Sequence, residues 1–344
     1  KEGAFYTWTK NELESILGVD AELFSVTYGV SASGNFDGTN VLYKCASNEN
    51  IKELFTLDCN TIERKLAAAR IKLKEARNQR VKPALDDKVI LSWNAMVIDA
   101  LVEAYITFED KSYLNYAFEC INYIESNHYS SGKLMRIYCK GKLSINALLD
   151  GYAYLIKAYL ALYRVTINHS WIDKAKQLID TAIVDFYSKE SGMFYYASNM
   201  QNDLIARKMD LTDGVITSSN SVMAQNLKYI GELLSDEKYI SMSNQMLANI
   251  ANSLENGGPY VFGWARLLLF NQLPAVQLKV ASEKSIEYIH SIQKKVIHPF
   301  IFPIVSNKIS SDNTTIVHIC IGKSCYPSSS ESEYYIDLIN TTRI

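Results

Sequence analysis

Glycine and proline are scarce in this chain, 15 and 6 in 344 residues, about half the usual share. That excludes a collagen-like repeat, low-complexity linkers and a turn-rich all-β chain. Cysteine is sparse as well: Cys45, Cys59, Cys120, Cys139, Cys320 and Cys325 are scattered along the chain. Such spacing cannot make a disulfide scaffold, so a reducing, intracellular setting is expected. No run of about 18 apolar residues occurs, so no membrane span is expected. Excess charge of one sign is missing too. Lys and Arg number 35 against 37 Asp and Glu, a net charge of −2, which leaves no electrostatic case for nucleic acid or an anionic membrane. Neither a Gly-rich phosphate loop nor a Ser-centred nucleophile elbow is found. The chain opens on Lys1-Glu2-Gly3-Ala4-Phe5-Tyr6-Thr7-Trp8, without the charged and apolar regions of a signal peptide. So abrupt a start is expected of a piece of something longer.

What is present is apolar and aromatic: 48% hydrophobic residues and 23 tyrosines. A chain of this size buries about 75% of its unfolded surface, so a large core is available. Residues 9–28 read as two short helices, with Thr9 and Glu12 as a capping box. Residues 29–45 are irregular, punctuated by Gly29, Gly34, Asn35, Gly38 and Asn40. Residues 60–80 form a helix whose far face carries Arg64, Lys65, Arg70, Lys72, Lys74 and Arg77, read as a solvated face.

From Lys88 the pattern changes to helix pairs. Helix 93–108 is apolar nearly all round, with one narrow polar stripe of Asp99, Glu103 and Thr107. A helix of that kind is buried. Its partner 112–126 is amphipathic. The couple recurs as 150–165 with 170–187 and as 219–234 with 236–254. Asn94, Asp150 and Asn220 open the buried helices; Tyr113, Trp171 and Tyr239 open the outer ones. The units are too long and uneven for a tetratricopeptide or ankyrin array. Aromatic stretches after the outer helices, at 132–138 and 192–196, alternate as β-hairpins. A fourth inner helix, 262–273, ends at Pro274 with no outer partner. Strands then follow at 276–280, 300–305 and 315–321, with a helix at 283–296 and a Ser- and Glu-rich tail from Ser328. The expected fold is mainly α: an incomplete α/α toroid of helical hairpins, six-hairpin glycosidase-like, with a small C-terminal α/β appendage. The expected parts are 1–60, a segment leading in; 61–274, the toroid hairpins; and 275–344, the appendage.

In such a toroid the loops leading into the inner helices meet at one mouth of the central cavity. Those loops carry Asp86 and Asp87, then Trp93 and Asn94; Asp150 and Tyr152; and Asp213 with Asn220. Each residue has an ordinary explanation, since Asp, Asn and Ser cap helices for about 1 kcal/mol apiece. Carboxylates recurring at equivalent places also make a shared polar pocket. With Trp93 and Tyr152 as walls it suits a sugar, whose hydroxyls donate to carboxylates and whose apolar face stacks on rings. The four Asp residues are the candidate acid, base or sugar-binding groups. Two carboxyls about 6.5–9.5 Å apart would suit inverting glycoside hydrolysis. His128, His169, His290 and His298 are isolated and read as surface or loop residues. His318 and Cys320 share a strand face, with Cys325 nearby. Three ligands without a fourth make a poor zinc site, so no metal or other cofactor is expected. A disulfide, structural or redox-active, and reduced thiols remain open.

The segments 2–9, Leu85-Asp86-Asp87-Lys88-Val89 with Ser92-Trp93-Asn94, Leu149-Asp150-Gly151-Tyr152-Ala153, and Asp213-Gly214 with Ser219-Asn220-Ser221 resemble the spermatogenesis-associated protein 20 family. Cys320 and Cys325 match the paired cysteines near the family's end. The resemblance implies a thioredoxin-like domain followed by a toroid like that of N-acylglucosamine 2-epimerases. This chain resembles the later half only: neither the thioredoxin-like domain nor the first toroid hairpins, with their Pro-His-Phe-Glu-Lys segment, are in it. Epimerases of that fold use histidines, and no inner-helix start here carries one. Two further departures are Ala95 in place of Gly and Gly151 in place of a second Asp. The latter counts against Asp150 as half of a carboxylate pair.

Two functions follow as expectations. One is a carbohydrate-acting toroid, an isomerase or epimerase or a glycoside hydrolase. The other is a non-catalytic module serving a thioredoxin-like domain. A small sugar is the expected partner, together with the missing parts of the parent chain.

Overall fold

The computed structural model describes residues 3–201, 205–281, 285–296, 301–305, 316–322, 324–326 and 332–341. The chain divides into two units, Lys1–Asp86 and Asp87–Ile344.

The first unit holds α1 (Lys10–Leu17), α2 (Ala21–Thr27), α3 (Asn48–Phe55) and α4 (Cys59–Asn78). Trp8, Leu13, Phe24, Ile51, Ile62 and Leu66 form its core. Helix α3 was not expected. Its sequence signal is the Ser47 side chain, which accepts from the Asn50 N–H, with Ile51 as its buried contact. Only half of the expected capping box forms. Thr9 accepts from the Glu12 N–H at 3.2 Å, but the Glu12 carboxylate turns to Arg80 at 2.6 Å. Arg80 also donates to the carbonyls of Phe5 and Thr7 and lies over the Trp8 ring, so one side chain fixes the first segment. The buried Asn40 orders the Gly-rich stretch through bonds to Ser31 and Trp8. The basic face of α4 is largely solvated, as expected, with Arg64, Lys72 and Lys74 exposed.

The second unit begins with β1 (Val89–Ile90) and the hairpin α5 (Leu91–Phe108) and α6 (Lys111–Asn127). Strands β2 (Tyr129–Ser130), β3 (Lys133–Cys139) and β4 (Lys142–Asn146) follow, with β3 paired antiparallel to the other three. Next come α7 (Leu149–Thr166) with α8 (Ser170–Phe186), the short strands β5 (Tyr187–Ser188) and β6 (Met193–Phe194), then α9 (Ser219–Leu234) with α10 (Glu237–Leu254), and α11 (Phe262–Gln272).

Each hairpin packs inner helix on outer helix, and the inner helices stand side by side in the order α5, α7, α9, α11. This is the expected incomplete α/α toroid: three hairpins, then a fourth inner helix followed by strand. Nearly every residue of α7 is buried, whereas α8 buries a single stripe around Trp171, Ala175 and Ile179. The end helix α5 departs from the expectation of burial all round. It buries Leu91, Ala95, Ile98 and Val102 but leaves Trp93 58% and Val97 50% exposed, because within the row only α7 covers it. Each inner helix of a hairpin ends on a left-handed residue that is not glycine: Glu109 at φ 59°, Ile167 at φ 55° and Ser235 at φ 54°.

The last part comprises β7 (Val276–Ala281), α12 (Ser285–Lys295), β8 (Ile301–Val305), β9 (Ile316–Ile321), β10 (Ser324–Cys325) and α13 (Ser332–Thr341). Its sheet runs in the order β10-β9-β7-β8, with β7 parallel to β8 and antiparallel to β9. The expected Ser- and Glu-rich tail contains a helix, α13; residues 328–331 and 342–344 of it lie outside the described residues. This α/β part closes off the C-terminal ends of the inner helices. Tyr163 donates to the Pro303 carbonyl at 2.7 Å, His290 Nε2 to Val165 at 2.9 Å and Gln293 to Arg164 at 3.2 Å. The last two bonds satisfy carbonyls that the end of a helix leaves unpaired.

Candidate functional site

At the N-terminal ends of the inner helices, Asp150 is 3% exposed and fully engaged. Its Oδ1 takes Arg136 Nη1 at 2.6 Å and the Gly151 N–H at 2.9 Å; its Oδ2 takes the Ser92 hydroxyl at 3.0 Å. Burial disfavours the Arg136 charge, but Asp150 and then Tyr196 outweigh it and hold the guanidinium protonated. Gly151 explains why a second carboxylate is missing: a Cβ there would meet Leu91 at 2.9 Å and Ala147 at 3.3 Å.

Asp213 bridges two helix starts, accepting from the Ser218 N–H at 2.8 Å and the Gly263 N–H at 2.7 Å. Asp210, which sequence reading missed, accepts from both the N–H and the hydroxyl of Ser219 at 2.8 Å. Tyr154 donates to the Thr217 carbonyl at 2.7 Å. Burial pushes its hydroxyl pKa up, and the charges of Asp150, Asp213 and Asp210 add to the rise. Asn220 is buried and bonded through both amide atoms to Phe194, with a further bond to the Asp210 carbonyl.

The other expected residues lie elsewhere. Asp87 pairs with Lys140 at 2.9 Å and accepts from the Cys139 thiol, and these two contacts hold its carboxyl below the usual range. Asp86 is exposed. Trp93 stands on the open face of α5. Asn94 donates to the Ile90 carbonyl at 2.9 Å. Tyr152 packs on Phe186 at 5.1 Å and faces the outer layer, where it lines a cleft with Tyr129, Tyr159, Glu125 and Lys174. Burial, with Asp185 nearby, pushes its hydroxyl up to about 12. His128, expected on the surface or in a loop, does follow the end of α6 but is fully buried. His298 lies outside the described residues.

Cys320 and Cys325 are joined by a disulfide, with Cα atoms 3.9 Å apart on directly opposed positions of β9 and β10. No group of three or more His, Cys, Asp or Glu among the described residues could hold a metal. No described helix is long and apolar enough to cross a membrane.

A cavity of about 360 Å³ opens between all four inner helices. Its wall holds two ion pairs, Asp99–Lys157 at 2.8 Å and Glu103–Arg164 at 2.7 Å. Gln225 and Asn226 come from α9, and Arg266 and Phe270 from α11. The amide nitrogens of Gln225 and Asn226 are spent on the Gly263 and Ala153 carbonyls. None of the four expected Asp residues lines this cavity. Its signal in the sequence was the polar stripe of Asp99 and Glu103 on an otherwise apolar inner helix.

No family model matches the chain. It is 28% identical to an uncharacterized Caenorhabditis elegans protein over 278 residues, 74% of this chain and 38% of that one. It is 28% identical to Homo sapiens spermatogenesis-associated protein 20 over 258 residues, 66% of this chain and 33% of that one. The chain thus spans little more than a third of the length of these relatives, and its similarity to spermatogenesis-associated protein 20 agrees with the motifs above. Among solved structures, an α-mannanase of Bacteroides thetaiotaomicron aligns over 99% of this chain and 98% of its own at 14% identity, with a TM-score of 0.46. A cellobiose 2-epimerase from Bacillus thermoamylovorans aligns over 86% and 85% at 12% identity, with a TM-score of 0.45.

Proposed function

We propose that this chain, similar over most of its length to part of spermatogenesis-associated protein 20, supplies the sugar-binding wall of a carbohydrate-acting α/α toroid. The observation that carries this reading is the concave cavity between the inner helices, with its carboxylates, guanidinium groups and amides. Such a lining offers paired acceptors and donors to a hydroxyl-rich ligand, and Tyr229 adds ring surface to the wall. Its volume fits the lower range of small-molecule sites. The reaction class remains isomerisation or epimerisation, or glycoside hydrolysis, and any catalytic groups from the rest of a longer parent would complete it.

A second reading, a non-catalytic module, is favoured by Asp150 and Asp213. Both spend their oxygens on helix starts and on Arg136, so neither is a free acid or base. A screen of mono- and disaccharides by ligand-observed NMR tests the binding reading, with Glu103→Gln as the control variant. Saturable binding weakened by the variant supports it. Absence of binding to any sugar rejects it. Binding by the full-length parent without turnover of any bound sugar selects the second reading.

A further inference from the structure

The charges around the concave cavity do not cancel. Asp99 neutralises Lys157 and Glu103 neutralises Arg164. Arg266 is the fifth charged group of the lining. Its guanidinium lies over the Phe270 ring, 4.9 Å from the centroid, and among the described residues no carboxylate pairs with it. A ring beneath a guanidinium holds its plane while leaving the N–H edges free. The same cavity presents the Asn226 and Gln225 amide oxygens, whose nitrogens are already committed to backbone carbonyls. The cavity therefore combines amide acceptors for hydroxyls with a planar cationic fork that has no carboxylate partner among the described residues.

We propose that the cavity takes a sugar bearing one anionic group, a carboxylate or a phosphate, and that Arg266 is the specificity-determining residue that binds that group. The proposal rests on the carbohydrate reading above and narrows it. A guanidinium edge matches two oxygens of either anion in parallel, and such charge-assisted pairs are about twice as strong as neutral hydrogen bonds. A neutral sugar would leave the fork facing water and gain nothing from it. Arg266 is exposed on α11, so replacing it does not disturb the core.

The test is calorimetric titration of the full chain with four probes: D-glucuronate, D-glucose 6-phosphate, D-glucose and inorganic phosphate. The expected result is that at least one anionic sugar binds about tenfold or more tightly than glucose. That advantage should shrink with added salt, vanish in Arg266→Gln and persist in part in Arg266→Lys. Which anionic sugar binds identifies the carboxylate or the phosphate as the group taken. Equal binding of glucose and both anionic sugars overturns the proposal while the carbohydrate reading stands. So does an anionic preference that survives in Arg266→Gln. Inorganic phosphate binding as tightly as glucose 6-phosphate overturns both, because the sugar then contributes nothing. Binding of none of the four also overturns both.

Discussion

Arg136 on strand β3 reaches Asp150 in the first turn of α7 at 2.6 Å, where only 4% of the carboxylate side chain meets solvent. The pair ties the β-hairpin to an inner helix, and Ser92 brings the neighbouring inner helix into the same bond set. Removing one partner leaves a buried charge uncompensated. Arg136→Met is therefore expected to cost about 3 kcal/mol of unfolding free energy. Ser92→Ala, which removes one neutral donor, is expected to cost about 1 kcal/mol. Urea unfolding of the two variants checks the ratio; equal losses would mean that the ion pair is not what Asp150 depends on.

Gly263 lies where α11 packs tightly on the start of α9. A Cβ there would meet the Ser221 hydroxyl at 2.3 Å and Thr217 Cγ2 at 2.6 Å, and Asp213 accepts from the Gly263 N–H. Gly263→Ala gains helix propensity of about 1 kcal/mol, but overpacking costs about 1–3 kcal/mol. Because Ser221 is fully buried and has nowhere to move, the steric cost wins. A lower urea midpoint for the variant is expected, and a higher one would show that the two helices separate freely.

The hairpin architecture was legible because burial leaves a mark on every helix. Apolar residues all round gave α7, and one stripe gave α8. An incomplete ring implies that some apolar inner-helix surface stays open; that α5 carries it, through Trp93 and Val97, was not legible, because it depends on which helix stands at the end of the row. The site was read only in part. Asp150 and Asp213 do sit at helix starts, but whether a carboxylate is free or committed depends on partners distant in sequence, such as Arg136 and Gly263. Arg266 has no sequence signal of its own; it acquires meaning only when α11 is placed across from α5 and α7. The burial of His128 was not legible for a related reason. Its partner, the Met135 carbonyl at 3.1 Å, belongs to a strand folded back over it.

That burial has a pH signature. Burial holds the imidazoles of both His128 and His290 below their ordinary value, with only partial opposition from their bonds to backbone carbonyls. In the unfolded chain both titrate near 6.5. Between that value and the lower native values the unfolded state binds more protons, so stability is lost as pH falls. Above about 7 these groups contribute no slope. As far as these two histidines set it, melting temperature should be flat between about pH 7 and 8.5 and fall below about 6.5. In His128→Asn, where the amide keeps a donor for Met135 and does not titrate, the fall should be shallower. An unchanged slope in that variant would remove His128 from the account.

Ser235 ends α9 at φ 54° and is exposed. A left-handed conformation costs an L-residue about 1–2 kcal/mol, while glycine adopts it freely at some entropic cost to folding. Ser235→Gly should raise stability by about 0.5–1 kcal/mol, read as a higher urea midpoint with unchanged slope. Ile167 has the same backbone but is 7% exposed, so its glycine variant should lose more in packing than it gains in conformation.

Cys320 and Cys325 face each other across β9 and β10, and Cys325 is exposed. Loop closure this short removes little unfolded-chain entropy, about 2 kcal/mol at most. The bond is therefore weakly supported as a staple, and an exposed sulfur is open to attack by a thiolate. A redox role for the pair leads to a definite expectation. Native protein equilibrated with dithiothreitol should lose the bond, read by thiol alkylation and mass spectrometry, while far-ultraviolet circular dichroism stays unchanged. The bond should re-form on addition of oxidised glutathione. Cys320→Ser with Cys325→Ser should cost about 2 kcal/mol or less. Reduction that proceeds only after global unfolding, or a large loss of stability in the double variant, would make the bridge a structural staple. The redox assignment would then be abandoned, because a couple that cannot be reduced without unfolding the chain carries no electrons in the native state.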